Sequence, residues 1–292
     1  LSLPACTTVQ ETGRSQLILM SASEEAQMGV QAFSQIKQQE KISADPAVNA
    51  RIQRIGKRIA ASVGRDLPNA QWEFVVFDSP TLNAFALPGG KVGFYTGLIK
   101  LAGDSDDEIA AVMGHEVAHV SSRHGAERQS QAMLIGVGGA ALGVGTNNDK
   151  NRDYYLLAYG VATTLGSLAY SRDHETEADV IGLQFAARAG YDPRAAASFW
   201  KKMAAQETGG RPPKWLSTHP PSAERIANLQ RLAPSLMSTY EQAKANAAVG
   251  GAPAVIKPAA ATPVTKPAPA PTATPAQKST EQQELDKFLG RK

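Results

Sequence analysis

The sequence is poor in cysteine, in aromatic residues and in charge of one sign. Its single cysteine, Cys6, excludes an internal disulfide framework and any zinc site built from cysteines, so metal chemistry would fall to histidine and carboxylates. The 30 Lys and Arg against 27 Asp and Glu leave a net charge of +3. That balance does not draw nucleic acid or an anionic bilayer by charge alone, and no nucleic-acid partner is expected. Long apolar runs are also missing. The most apolar stretch, 132–169, is interrupted by Asn147, Asn148, Asp149, Lys150, Asn151, Arg152 and Asp153, which leaves a first piece shorter than the ~20 residues that span a bilayer. It reads as two close-packed helices of a hairpin, with a membrane-touching cover as the alternative. With 42% apolar, 20% charged and 6% aromatic residues over 292 positions, the composition is still globular and sufficient for one sizeable core.

The two ends differ from the middle. The chain opens Leu1-Ser2-Leu3-Pro4-Ala5-Cys6 without an initiator methionine. Leu3-Pro4-Ala5-Cys6 is similar to a bacterial lipobox, whose cysteine is cleaved free and lipidated, so residues 1–22 are expected to form a flexible arm anchored to a membrane through Cys6. The bland reading is an incidental cysteine. The lipobox reading implies a bacterial periplasmic lipoprotein, with the outer membrane favoured. At the other end, seven prolines and nine alanines within 251–280 favour extended polyproline conformations, too apolar-poor to offset the entropy of ordering. Residues 241–292 are therefore expected to be a linker and short tail, and 23–240 the folded unit.

Within that unit Ser23 can cap a helix carrying Glu24, Glu25, Phe33 and Ile36, and Asp45-Pro46 opens a second with Val48, Ile52, Ile55 and Ile59 on one stripe. Residues 72–77 read as a strand, and 83–87 with 91–96 as a hairpin around Pro88-Gly89-Gly90. The expected fold class is α+β, mainly helical with a small sheet.

Ser105-Asp106-Asp107-Glu108 has capping-box spacing and starts a helix whose apolar stripe runs to about Ser130. It carries His115-Glu116-Val117-Ala118-His119. Residues four apart share a helix face, so both imidazoles can address one ion with Glu116 beside it. A zinc ion so held lowers the pKa of a water toward about 7, and the adjacent carboxylate can take the proton. Two histidines on a polar face are the bland alternative. A third ligand is still required. A later helix, capped by Ser171 and closed by Gly190, offers Glu175 and Asp179 on one face, as ligand and as partner to a ligand histidine, although acidic first turns commonly serve the helix dipole. His124, nine residues beyond His115, falls on the opposite face of a straight helix, and His174 need not face the metal; neither is expected at the site.

His115-Glu116-x-x-His119 followed by Glu175-x-x-Ala178-Asp179 resembles the zinc metallopeptidases related to the CAAX prenyl endopeptidase, including bacterial periplasmic lipoproteins. The resemblance extends to Asn83-Ala84-Phe85-Ala86-Leu87-Pro88-Gly89-Gly90 and to Ser217-Thr218-His219-Pro220-Pro221 with Arg225. It implies a zincin-type domain with one zinc ion on His115, His119 and Glu175, Glu116 as general base, and Asp179 behind a ligand. It also implies that His219 and Arg225 lie near the metal, stabilising the oxyanion or holding a resting state; their bland reading is a turn and a surface charge. The activity implied is endopeptidase cleavage, read here as acting on envelope or misfolded proteins; the hairpin before the zinc helix offers an edge strand along which substrate can extend, and a protein partner would open the cleft in the latent alternative. A latent zinc-bearing envelope chaperone or assembly factor, and a non-peptidase zinc hydrolase, are the alternatives. The many spanning helices of the prenyl endopeptidase are absent, so prenylated substrates are not implied.

Overall fold

Ser21 opens the first helix. Its hydroxyl accepts from the Glu24 amide at 3.2 Å while Glu24 Oε2 accepts from the Ser21 amide at 2.8 Å, a reciprocal box that starts α1 (Ala22–Gln39) upstream of the expected Ser23 cap. In α2 (Pro46–Val63), Asp45 Oδ1 accepts from the Ala47 and Val48 amides, and Pro46 stands where no donor is needed. Its Ile52, Ile55 and Ile59 are fully buried, as their stripe demands. The computed structural model describes residues 6–67, 69–141, 171–206, 214–220 and 222–248.

A three-stranded sheet follows, formed by β1 (Glu73–Phe77), β2 (Ala84–Leu87) and β3 (Lys91–Tyr95). The expected hairpin pairs β2 with β3 antiparallel, β1 joins β3 in parallel, and β3 is central. Gly89 and Gly90 make the turn at φ 85° and 81°, where side chains are strained. After α3 (Thr96–Ala102), Ser105 caps α4 (Asp106–Ser121) by accepting from the Glu108 amide. Glu108 does not complete the box; its carboxylate accepts from Lys202 Nζ at 2.8 Å instead. Asp106 binds both Arg51 and Arg54, tying the start of α4 to α2.

The long helix expected to reach Ser130 is broken. α4 stops at Ser121, Arg123 takes φ 55°, and α5 (His124–Ala141) restarts at once. Arg123 is held in this left-handed conformation by Glu25 and by the Met20 carbonyl at 2.8 Å. Beyond Ala141, the expected hairpin over 132–169 lies outside the described residues. α6 (Arg172–Arg188) starts where Ser171 accepts from the His174 amide, and Gly190 at φ 75° follows its end. Among the described residues the remaining α-helices are α7 (Ala195–Ala204), α8 (Lys214–Thr218), α9 (Ala223–Leu232) and α10 (Met237–Ala248). The molecule is thus a mainly helical α+β protein. Residues 241–248, expected to begin the linker, continue α10, and its Ala243 is buried; the proline-rich segment lies outside the described residues.

Residues 6–17 also depart from a flexible arm. Strands β4 (Cys6–Thr8) and β5 (Ser15–Leu17) pair as an antiparallel hairpin. Val9 and Ile18 are buried, and Arg14 ties the hairpin to Glu127 of α5 and Glu177 of α6. Charge complementarity with two buried carboxylates docks this segment, a long-range contact that local sequence does not announce. Among the described residues no helix is long and apolar enough to cross a membrane.

Candidate metal centre

α4 and α6 build most of the site because their backbones nearly touch. A Cβ on Gly114 would lie 2.5 Å from the Gly182 carbonyl oxygen, and one on Gly182 would lie 2.6 Å from the His115 amide nitrogen. The approach sets the face of α4 that carries His115 and His119 against Glu175 and Asp179 of α6.

His115 Nε2 and His119 Nε2 stand 3.1 Å apart. Glu175 Oε2 lies 3.6 Å from His115 Nε2, and Glu175 Oε1 lies 3.3 Å from His119 Nε2. A fourth donor joins them: His219 Nδ1 is 3.4 Å from His115 Nε2 and 2.9 Å from Glu175 Oε1. All four residues are buried, and their donor atoms fall within 4.8 Å of one another. Donors arranged tetrahedrally around an ion at roughly 2.0–2.1 Å stand about 3.3 Å apart. The five pairwise distances, taken over both Glu175 oxygens, run from 2.9 to 3.6 Å and bracket that value, and one donor atom from each of the four residues falls within 4.8 Å of the others. Facing imidazole lone pairs at 3.1 Å also require a cation or a proton between them. The donor set therefore fits one small metal ion.

Charge in the pocket argues the same way, since Glu116, Glu175 and Asp179 are all buried carboxylates. Burial raises Glu175, but its contacts with His219, His115 and His119 hold it well below the usual carboxylate range. Asp179 is likewise raised by burial and lowered further by Arg225 and His115. Burial lowers His115, yet Asp179 and Glu175 outweigh it and bring this imidazole to about 9. Burial dominates at His119, keeping it far below the ordinary histidine range and its lone pair available. Negative charge in excess thus draws positive charge to the place where the donors converge.

The other expected residues surround this cluster. Glu116 Oε1 accepts from Trp215 Nε1 at 2.7 Å and lies 3.6 Å from His219 Nε2. Asp179 Oδ1 faces His115 Nδ1 at 3.0 Å. Arg225 grips Asp179 through Nε and Nη2 at 2.8 and 2.7 Å, and its Nη1 is 2.6 Å from Glu175 Oε2. Its guanidinium also lies 3.9 Å over the Trp200 ring. Arg225 is buried, so its reading as a surface charge fails; His219 does sit in the bend that follows α8, but it is buried with its ring among the donors.

Trp200 and Trp215, stacked at 4.7 Å, form an apolar wall that the sequence did not disclose. Straight-helix geometry predicts His124 on the far face of α4. The break at Arg123 instead brings its Nδ1 to 2.8 Å from His119 Nδ1. His174 stacks on His124 with ring centroids 4.3 Å apart. Gly114 and Gly182 did carry a signal, because glycine inside a helix costs about 1 kcal/mol and calls for a packing reason.

Comparison with known proteins agrees with this geometry. The profile of peptidase family M48 matches residues 46–233, a stretch that contains every residue of the cluster. The chain is 36% identical over 188 residues to the mitochondrial metalloendopeptidase OMA1 of Schizosaccharomyces pombe, covering 63% of this chain and 52% of that protein. It is 32% identical over 250 residues to the mitochondrial metalloendopeptidase OMA1 of Saccharomyces cerevisiae, covering 78% and 69%. It is 30% identical over 234 residues to the beta-barrel assembly-enhancing protease of Escherichia coli, covering 77% and 47%. The chain thus spans about half the length of two of these relatives and rather more of the third. The match over 46–233 takes in well over half of the 292 residues, and the chain belongs to peptidase family M48.

Proposed function

We propose that this chain is a zinc-dependent metalloendopeptidase with one Zn2+ held by His115, His119 and Glu175, its catalytic unit spanning 22–248 with the N-terminal hairpin docked on it. The observation that carries the reading is the buried convergence of three imidazoles and Glu175 within 4.8 Å, with Glu116 alongside. Imidazole and carboxylate donors in a tetrahedral array suit zinc. When bound, the ion polarises the scissile carbonyl and acidifies water. Glu116 takes the proton of the attacking water and delivers it to the leaving amine, its carboxylate steadied by Trp215. Asp179 orients His115 through Nδ1, and Arg225 keeps Asp179 and Glu175 ionised. His219, once turned out of the donor set, hydrogen-bonds the developing oxyanion, with the positive charge of Arg225 close behind.

One observation favours a gated form of this reading. His219 Nδ1 stands 2.9 Å from Glu175 Oε1 and 3.4 Å from His115 Nε2, so with an ion held by His115, His119 and Glu175 it would serve as a further donor and would have to turn away to admit a peptide carbonyl. The resting protein is then latent, and a protein partner or the substrate itself opens it. A zinc-bearing chaperone would share this resting state.

Substrate binds extended along β2, which has a ladder partner on one side alone among the described strands. Envelope or misfolded polypeptides are the substrate class; the name of the beta-barrel assembly-enhancing protease supports it. Leu3-Pro4-Ala5-Cys6 supports placement in the bacterial periplasm with a lipid on Cys6, the outer membrane favoured. Labelling with a fatty-acid analogue that is lost in Cys6→Ser tests the anchor.

The activity is tested by cleavage of unfolded casein with and without chelator and restored zinc. Chelator-sensitive cleavage that Glu116→Gln abolishes is expected. Cleavage that survives in Glu116→Gln overturns the assignment, and zinc binding without cleavage sends the gated reading forward.

A further inference from the structure

The two histidines of α4 are supported differently. His115 Nδ1 faces a carboxylate directly, Asp179 Oδ1 at 3.0 Å. His119 Nδ1 faces a second imidazole, His124 Nδ1, at 2.8 Å. His124 Nε2 in turn lies 2.9 Å from Glu177 Oε2. Glu177 also accepts from the Thr12 hydroxyl and, at 2.8 Å, from Arg14 Nε. The other Arg14 nitrogens donate to Glu127 at 2.9 and 2.7 Å, and Glu127 Oε2 lies 3.0 Å from His174 Nε2. The His174 ring covers one face of His124, with planes 18° apart. His124 itself is fully buried.

We propose that His124 is a positioning residue for the metal ligand His119, and that it passes the orientation of that imidazole to Glu177 and thence to Thr12 and Arg14 of the N-terminal hairpin. The inference rests on the reading that His119 ligates through Nε2. Its proton then resides on Nδ1, which donates to His124 Nδ1. That acceptor role places the His124 proton on Nε2, which donates to Glu177. One tautomer of each ring satisfies both the His119–His124 and the His124–Glu177 contacts, with Glu177 as the final acceptor. A carboxylate thus reaches His119 through an inserted imidazole, where His115 has one directly, and outer partners of this kind tune ligand basicity and angle. The hairpin is thereby part of the metal site although it supplies no ligand.

The test is the zinc affinity of the full chain, measured by competition with a chromophoric chelator, for wild type, His124→Leu and His124→Asn. Asparagine can put Oδ1 where Nδ1 stood and so still accept from His119; leucine fills space without accepting. His124→Leu should bind one zinc about 10–100-fold more weakly. His124→Asn should stay near wild type, with circular dichroism showing both variants folded. Long-range 1H–15N NMR of the zinc-loaded wild type should show the His119 proton on Nδ1 and the His124 proton on Nε2. Unchanged affinity in His124→Leu, equal losses in both folded variants, or the opposite His124 tautomer would each overturn the proposal while leaving the zinc site standing. A wild type that binds no zinc would instead remove the reading beneath it. Should His124→Leu fail to fold, Arg14→Gln, changed at the far end of the relay, takes its place: weaker zinc binding supports the proposal, and unchanged binding overturns it.

Discussion

Gly182→Ala probes the contact on which the whole site depends. The added Cβ would sit 2.6 Å from the His115 nitrogen and 2.7 Å from the Gly114 carbonyl carbon, so α4 and α6 must part by about 0.8 Å to reach the 3.4 Å of an ordinary contact. The obstacle is backbone on both sides, which no rotamer change relieves. Overpacking of this kind costs about 1–3 kcal/mol. The same shift carries His115 and His119 away from Glu175, whose oxygens now stand 3.6 and 3.3 Å from their Nε2 atoms. Zinc affinity should fall tenfold or more, a further loss of about 1.4 kcal/mol from the zinc-bound protein. Gly125→Ala is the control, because a Cβ there meets nothing within 4 Å and helix propensity gains up to about 1 kcal/mol. Urea unfolding of chelated and zinc-loaded protein, with chelator competition for affinity, separates the two effects. A Gly182→Ala protein within about 0.5 kcal/mol of wild type and with unaltered zinc affinity would refute the claim that this approach builds the site.

Glu175→Ala should lose zinc, whereas Glu116→Gln should keep one zinc per chain and lose turnover by at least about 100-fold, read by metal analysis and peptide hydrolysis. Arg225→Met leaves Asp179 and Glu175 buried without their cation, which should destabilise the chelated protein by about 3–5 kcal/mol in urea unfolding, and less when zinc supplies compensating charge. Glu11 on the N-terminal hairpin is pushed up to about 8 by burial, then by its hydrogen bond to Asp66 and the charge there, against Arg188. Its folded form holds a proton that the unfolded form releases from about 4.5 upward, so wild-type stability relative to Glu11→Gln should fall as pH rises from there to about 8; a constant gap between the two unfolding curves would contradict this.

The parts of this molecule legible in the sequence were those fixed by nearest neighbours. Asp45-Pro46, Ser105, Ser171 and Gly190 marked helix ends because caps and left-handed turns are local chemistry. His115 and His119 were legible as a pair because residues four apart share a helix face, and Glu175 with Asp179 for the same reason. That these two faces meet was not in the spacing; it was implied by resemblance, and its physical cause is the Gly114–Gly182 contact. Ser21 and Ser23 compete for the first cap, and Glu24 settles it by reaching back to Ser21.

His124 marks the limit of periodicity as an argument. Projecting 100° per residue from His115 assumes an unbroken helix, and nothing local at Arg123 announces a left-handed residue. The break is held from outside, by Glu25 of α1 and the Met20 carbonyl, partners about a hundred positions away in the chain. The same N-terminal region supplies Thr12 and Arg14 to Glu177 and Glu127. Residues that local composition suggested were an arm therefore act twice on the zinc helix: they help break it where His124 can turn back toward His119, and they clamp the carboxylate against which His124 leans. A site read only from its own motif would miss both actions, because each is a tertiary contact between a charged side chain and a partner far away in sequence.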